Sequence, residues 1–473
     1  MTEPWLEATR PGQTGYSPKS RTALILTGAG TAGAYHAGVL RALGEAGVRV
    51  DLVAGQGIGV VGAYFAAIDG ASRLWGADGL WRSGEVVSLY RWRAALRWLA
   101  WGAGAALAVV AVPLVALAAG LGVFVVAFLG SLVGLSASEQ ISDRYTAIVH
   151  DLFLPGRLPA WVAQAAVFLL AVVFIILLIA AMRGAPKGRH RERGRFWWRV
   201  LGAPLSARGA VGASRRALWR LIAGGARVAE PDALELSHRY AELLADNLGQ
   251  PGFRELIVLV HDLDTRRDLI GAALGEAYRQ GFFGRRHGAG AWPARAGEAL
   301  DLAGMDRDHV MDVLAAALSV PVVNEPSSLT FSPEGYWRGE THRVCDRPGS
   351  VARLLEEVSA AGAEQVIVVS ASAALEEPHT LEVLRIDGRG KVGAWLAAQE
   401  MASTRDAVRA RASSFRNVHW IRPAHNPVGP FGFGGVFDER SDRMLSIGEL
   451  VDRGYEDAFR QFIEPVVGGT DQA

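Results

Sequence analysis

Cysteine is almost missing. Cys345 stands alone in 473 residues, which excludes an internal disulfide framework and a cysteine-built metal cluster. A surplus of either charge is missing too. The 49 basic and 48 acidic residues leave a formal charge of +1, whereas a nucleic-acid binder is normally clearly basic, so no nucleic-acid partner is expected. Lysine is limited to Lys19, Lys187 and Lys391, and arginine carries almost all positive charge. The first twenty residues have no apolar run, so no secretory signal is expected there.

Charge is also absent from two long stretches. Trp98 to Ser138 has none, and 160–182 is interrupted only by Gln164. Each is long enough to cross a hydrocarbon core of about 30 Å; for 160–182 apolarity on every face argues against a buried core helix, while part of the first stretch can lie outside the bilayer or re-enter it. As one straight helix the first stretch would measure about 60 Å, so Pro113, Gly120 and Gly122 are expected to kink or break it. Arg91, Arg93 and Arg97 precede the first stretch. Arg183, Lys187, Arg189, Arg191, Arg193 and Arg195 follow the second, and then come Phe196, Trp197 and Trp198. Basic outer flanks and an interfacial aromatic cluster predict a multi-pass membrane insertion over 91–198, with both ends cytoplasmic.

On either side the pattern is strand, glycine turn, helix. Thr22–Thr27 reads as a buried strand, 28–33 as a glycine-rich turn and 34–45 as a helix. Val50–Val53, 55–59 and 60–68 repeat the order. Further strands are expected at 255–261, 365–370 and 417–422, with helices at 350–360 and 447–463. This is the form of an α/β domain with a parallel sheet. The expected parts are 1–90, the insertion 91–198, a basic linker or surface helix 199–230, and 231–473. Both halves must share one sheet, so the insertion should cross a bilayer an even number of times.

The glycine turns point backbone N–H groups at a space that favours an anion or oxyanion. Residues 28–33 lack the Lys-Ser/Thr of a phosphate-binding loop. They satisfy G-x-G-x-x-G, but Asp51 falls at the start of the next strand and not at its end. No nucleotide cofactor is expected. Close helix–strand packing alone also accounts for these glycines.

Gly28-Ala29-Gly30-Thr31-Ala32-Gly33, followed by a strand and Gly55-Gln56-Gly57-Ile58-Gly59, resembles the opening of a patatin-like phospholipase domain. In that family the first turn is the oxyanion loop and the second a G-x-S-x-G elbow carrying the nucleophile. A D-G-G/A motif further on supplies the catalytic aspartate. Ser319-Val320-Pro321, Tyr336-Trp337-Arg338-Gly339-Glu340 and the segment to Val369 resemble that later region. On this resemblance Gly28, Ala29, Gly30 and Gly33 are oxyanion-loop positions, Gly55 and Gly59 frame the elbow, and Gly57 stands where the serine would. Arg338 stands where the aspartate would, beside Gly339 of the second motif. Asp387-Gly388 and Asp438 are alternatives that fall after the strand and not before it. Glycine offers no hydroxyl and arginine no base, so the resemblance implies a fold without its Ser–Asp pair.

Other candidates carry less. Cys345 lies outside any elbow pattern, and His36 reads as a packing or capping residue. His342, His419 and His425 lack metal-ligand spacing, and Asp262 and Asp264 read as a surface turn, so no metal is expected. His425-Asn426-Pro427 and Phe431–Gly435 read as an ordered loop whose aromatics line an apolar pocket or pack on the domain.

Three functions fit. One is a membrane-anchored, catalytically silent protein that binds a lipid or acyl chain or acts as a scaffold. Another is an active lipid acyl hydrolase with a different nucleophile. The third is a membrane scaffold forming a homo-oligomer through small residues at Gly102, Gly104, Gly120, Gly130 and Gly134.

Overall fold

The computed structural model describes residues 15–134, 137–152, 159–183, 202–226, 228–284, 297–333, 337–371, 388–424, 429–438 and 443–467. Tyr336, Asp387, His425–Pro427, the basic run after Arg183 and the cluster Phe196–Trp198 lie outside the described residues. The chain divides into two compact units, Met1–Arg91 with Leu205–Ala473, and Trp92–Pro204.

The first unit is a mixed α/β fold on a mostly parallel sheet. Its main strands are β1 (Thr22–Thr27), β2 (Leu52–Gln56), β3 (Glu255–Asp262), β4 (Arg267–Ala273), β5 (Gly297–Asp301), β6 (Ser327–Thr330), β7 (Thr341–Cys345), β8 (Gln365–Ser370) and β9 (Asn417–Ile421). The order is β9-β8-β1-β2-β3-β4-β5, with β7 on the end of β3 and β6 on β7. From β9 to β3 all pairs are parallel. All six residues of β1 are buried, as expected of a central strand covered on both faces. Its side chains alternate, with Leu24 and Leu26 in one core layer and Ala23 and Ile25 in the other. The flanking helices used below are α1 (Ala32–Glu45), α2 (Gly59–Ala67), α3 (Arg208–Ala223), α4 (Val351–Ala360), α5 (Gly388–Arg411) and α6 (Ile447–Ala458).

The expected strands and helices of the first unit are present, with small shifts. The second strand starts at Leu52, where it pairs with Ala23, and continues to Gln56 at the second glycine turn. Residues 199–230 are not merely a linker: α3 buries Ala210, Ala213, Ala217, Leu218 and Trp219 in the core of the first unit. The antiparallel strands β4, β6 and β7 and the outer strand β5 were not expected.

The second unit contains the helices Ala94–Leu132, Ala137–Leu152 and Pro159–Arg183. The first runs for 39 residues through Pro113, Gly120 and Gly122, so of the expected kink or break there is no break. A proline in a helix removes one backbone donor, and the helix tolerates this without ending. Tyr145 of the second helix packs on Gly120 and donates its hydroxyl to the Ala116 carbonyl, and Gly102 faces Val173 of the third. Among the described residues, Leu114–Leu132 is the one segment long and apolar enough to cross a membrane, while Val167–Ile179 is apolar but shorter. Two complete spans were expected, and one meets that criterion.

Candidate functional site

Both glycine turns lie at the C-terminal ends of parallel strands, β1 and β2. In open α/β sheets this edge is where ligands and catalytic groups gather. Gly57, at the centre of the second turn, has φ +56, a conformation that an L side chain adopts at a cost. A Cβ built on Gly57 would stand 2.3 Å from the carbonyl oxygen of Gly28 and 3.1 Å from Oδ2 of Asp346. The first turn therefore closes directly on the elbow.

The closure uses the donors that an oxyanion would need. The N–H of Ile58, the residue after the elbow, donates to the Gly28 carbonyl at 2.9 Å. The N–H of Thr31 donates to the Pro430 carbonyl at 3.0 Å, while those of Ala32 and Gly33 fold back onto Ala29 and Gly30. An anion site needs donors aimed at an open position. These four N–H groups donate to the protein's own carbonyls. Ala29 and Ala32 are buried beside them. Gly55 and Gly59 are sites of tight packing, where a Cβ would stand 2.7 Å from Val60 Cα or 2.1 Å from the Leu26 carbonyl oxygen. Gly33 backs onto the Trp81 ring.

The carboxyl group that meets the elbow belongs to Asp346. Strand β7 runs antiparallel along the end of β3, pairing Cys345 with His261, and so delivers the next residue to the glycine turns. The Asp346 N–H donates to the Ser319 carbonyl at 2.9 Å, which fixes that turn. Arg338 and Gly339 instead occupy the tip between β6 and β7, where Arg338 is exposed. The hairpin thus places Arg338, the position expected to stand for the aspartate, eight residues ahead of Asp346. One signal in the sequence marks Asp346 as a turn residue. Asp346-Arg347-Pro348-Gly349 is a turn immediately after a strand and immediately before α4.

A second acid, missed in the sequence, completes the constellation. Glu400 of α5 lies against the first turn, and a Cβ on Gly28 would be 3.4 Å from its Oε1. Asp346 and Glu400 are 2% and 6% exposed, and Asp346 Oδ1 and Glu400 Oε1 have no hydrogen-bond partner. Burial raises the Asp346 pKa well above the carboxylate range, and the nearby Glu400 charge adds to the shift. Burial likewise pushes Glu400 up to about 7, against a weaker opposing bond from Thr27. Glu400 was undetectable as a site residue because helix 388–411 carries no motif around it.

The space in front of the turns is filled. A Cβ on Gly30 would stand 1.7 Å from the Pro430 carbonyl oxygen and 3.4 Å from the Phe433 ring. Phe431 and Phe433 are buried and pack on Tyr90, edge-on and stacked, with centroids 5.8 Å apart in each case. Of the two open readings for these aromatics, packing on the domain is the observed one. Thr31 further ties the loop by donating its hydroxyl to the Gly429 carbonyl.

The remaining candidates are structural. Burial and the neighbouring Asp346 and Asp262 push the Cys345 thiol up to about 12, which makes it a poor nucleophile. His36 is fully buried and held at about 4 by desolvation, and His419 is similarly lowered. His342 bonds Asp262 at 2.7 Å and Glu340 at 3.4 Å. Asp262 also accepts from the backbone of Asp264 and Thr265, which makes a closed turn. Asp438 ends a short strand paired with Arg443. Among the described residues no cluster of three metal-ligating side chains occurs.

No family model matches the chain, and no curated protein does. Among solved structures it is similar to VipD from Legionella pneumophila, with a TM-score of 0.33 and 13% identity, over 96% of this chain and 67% of that one. The fold itself defines the class: an α/β unit with a mostly parallel sheet and two glycine turns at its C-terminal edge, carrying a helical insertion.

Proposed function

We propose that the protein is a membrane-anchored, catalytically silent member of the patatin-like group that acts as a scaffold or lipid-surface protein. The observation that carries this reading is the Gly28 carbonyl beside Gly57. Where hydrolysis would need a nucleophile there is no side chain, and the N–H that would receive an oxyanion bonds a backbone carbonyl. Asp346 keeps its place near the elbow, but a carboxyl group without a partner hydroxyl activates nothing. The filled mouth at Phe431 and Phe433 favours a surface role over enclosure of an acyl chain.

Anchoring is supported by Leu114–Leu132, a 19-residue apolar segment. Strands β2 and β3, which flank the insertion in sequence, pair with each other in register from Leu52 and Glu255. An insertion that crosses a bilayer must therefore return, and the apolar helix Pro159–Arg183 is the proposed second leg. The basic flanks favour a cytoplasmic α/β unit.

The test is lipid-ester hydrolysis by the full-length protein in nanodiscs, beside Gly57→Ser. Both are expected to be silent, because the introduced Cβ meets the Gly28 carbonyl and the Ile58 N–H stays engaged. Hydrolysis by the natural protein would overturn the reading. Hydrolysis by Gly57→Ser alone would show that the first turn opens readily, leaving only the missing hydroxyl to explain the silence.

A further inference from the structure

Helix α5 lies across the first glycine turn and the loop that covers it. Near its start, a Cβ on Gly393 would stand 3.5 Å from Pro430 and 3.7 Å from the Phe431 ring. Two turns on, Glu400 meets Gly28. Ser403 donates its hydroxyl to the carbonyl of Gly349, in the turn that begins at Asp346. The other face of the helix meets solvent, with Val392 37% and Trp395 61% exposed. The inner face is sparsely bonded. Glu400 Oε1 and the hydroxyl of the fully buried Thr404 have no hydrogen-bond partner.

Glu400 and Asp346 border one contact, that of Gly28 with Gly57, and the charge of Glu400 is felt at Asp346. The basic groups on the surrounding elements are engaged elsewhere. Arg347 pairs with Asp268, Arg353 with Glu356 and Glu357, Arg411 with Glu356, and Arg405 with Asp406. Lys391 and Arg409 are exposed, and His342 is held by Asp262. Burial keeps His36 neutral and the Cys345 thiol protonated, and Tyr90 gives its hydroxyl to the Leu318 carbonyl. What faces the acids is the N–H groups of Gly57 and Arg347 and the Thr27 side chain, all uncharged. Two carboxylates in a dry contact repel each other and lose their hydration, so the closed arrangement suits the protonated acids.

We propose that α5 and the 429–433 loop form a pH-operated lid over the glycine turns, shut while Asp346 and Glu400 hold protons and released when they ionise. This goes beyond the scaffold reading and uses neither the membrane nor hydrolysis. The C-terminal end of α5 stays tied to α4 through Arg411 and Glu356, so the part that lifts is the one with Gly393 and Glu400. Opening hydrates both carboxylates and parts Thr31 from the Pro430 and Gly429 carbonyls. Both acids have raised pKa values in the closed form. Closure is therefore strongest below the ordinary carboxylate range and weakens as pH rises, the share of Glu400 being largely lost by about pH 7.

The test is maleimide labelling of Thr404→Cys, a thiol on the buried inner face of α5, in the full-length protein in nanodiscs. Ala54→Cys, buried in β2, reports opening of the sheet, and the natural protein with its buried Cys345 is the blank. Each rate is divided by that of a free cysteine peptide at the same pH, which removes the thiol's own titration. The ratio at 404 is expected to rise about tenfold from pH 6 to pH 8, as linkage to one carboxyl at about 7 requires. The ratio at 54 should stay severalfold lower throughout. Glu400→Gln should shrink the rise, and Glu400→Gln with Asp346→Asn should abolish it. Hydrogen exchange at the Thr31 amide of the natural protein, corrected for its intrinsic rate, should show the same rise without any substitution. Flat labelling at 404 or flat exchange at Thr31 overturns the lid. Equal ratios at 404 and 54 overturn it as well, since the whole unit would then be unfolding. A rise that survives both neutral substitutions removes the two acids as its latch.

Discussion

The two halves of the candidate site are built on opposite principles. Around the glycine turns, the N–H groups of Ile58, Thr31, Ala32 and Gly33 each have a partner inside the protein. Around the acids, Asp346 and Glu400 are almost as deeply buried, yet each keeps an oxygen without a partner. A satisfied backbone network adds rigidity at little cost, whereas a buried unpaired carboxylate is expensive unless it holds a proton. The turn half is thus a packed piece of core, and the acid half is at ease when its carboxyls hold protons and costly when they ionise. Substitutions in the first half should damage folding, and substitutions in the second should relieve that cost.

The largest effect is expected in the turn half. Gly59→Ala puts a methyl group 2.1 Å from the Leu26 carbonyl oxygen, and both partners are backbone. The start of α2 must then move off β1. A loss of about 4 kcal/mol or more is expected, in the range of severe core disruption. Urea unfolding followed by circular dichroism measures it. A loss below about 1 kcal/mol would mean that the turn is not tightly packed.

The acid half should respond with the opposite sign. Glu400 has its folded-state pKa raised to about 7. The folded protein therefore binds more protons than the unfolded chain between the ordinary glutamate range and about pH 7. Stability from this group is fully present below the unfolded pKa and is lost as pH rises toward 7. Glu400→Gln removes the ionisation. It is expected to be near neutral at pH 4 and stabilising by about 3 kcal/mol at pH 8, where the buried carboxyl of the natural protein must ionise. Thermal melts of both proteins across pH 4–8 read the difference. A constant gap across that range would show that Glu400 does not titrate with folding.

Most of the first unit was legible because its central strands are continuous apolar runs punctuated by glycine. Thr22–Thr27 and Gln365–Ser370 fall on the expected residues, and α6 begins where Ser446 and Glu449 form a capping box. The antiparallel strands were not legible. Ser327–Thr330 and Thr341–Cys345 are short and half exposed, with patterns that also suit loops. Without those strands nothing local marks Asp346 as the acid beside the second glycine turn. Glu400 is a tertiary feature: its neighbours Gly28 and Asp346 are hundreds or tens of residues away, and local sequence holds no trace of them. The long helix was expected to kink or break at Pro113, Gly120 and Gly122, and it does not break.

The smallest effect separates rigidity from closure within the turn half. Thr31 holds the 429–433 loop through two bonds, its N–H to the Pro430 carbonyl and its hydroxyl to the Gly429 carbonyl. Thr31→Val keeps the shape and the backbone bond and removes only the hydroxyl. A loss of about 1 kcal/mol is expected, the typical net worth of one such bond. If the loop is the closure over the turns, hydrogen exchange at Phe431 and Phe433 should quicken while that at Leu24 and Ile25 stays unchanged. Equal quickening of both sets would mean that the loop and the sheet open as one unit, and the turn half would then be a single core without a separate cover.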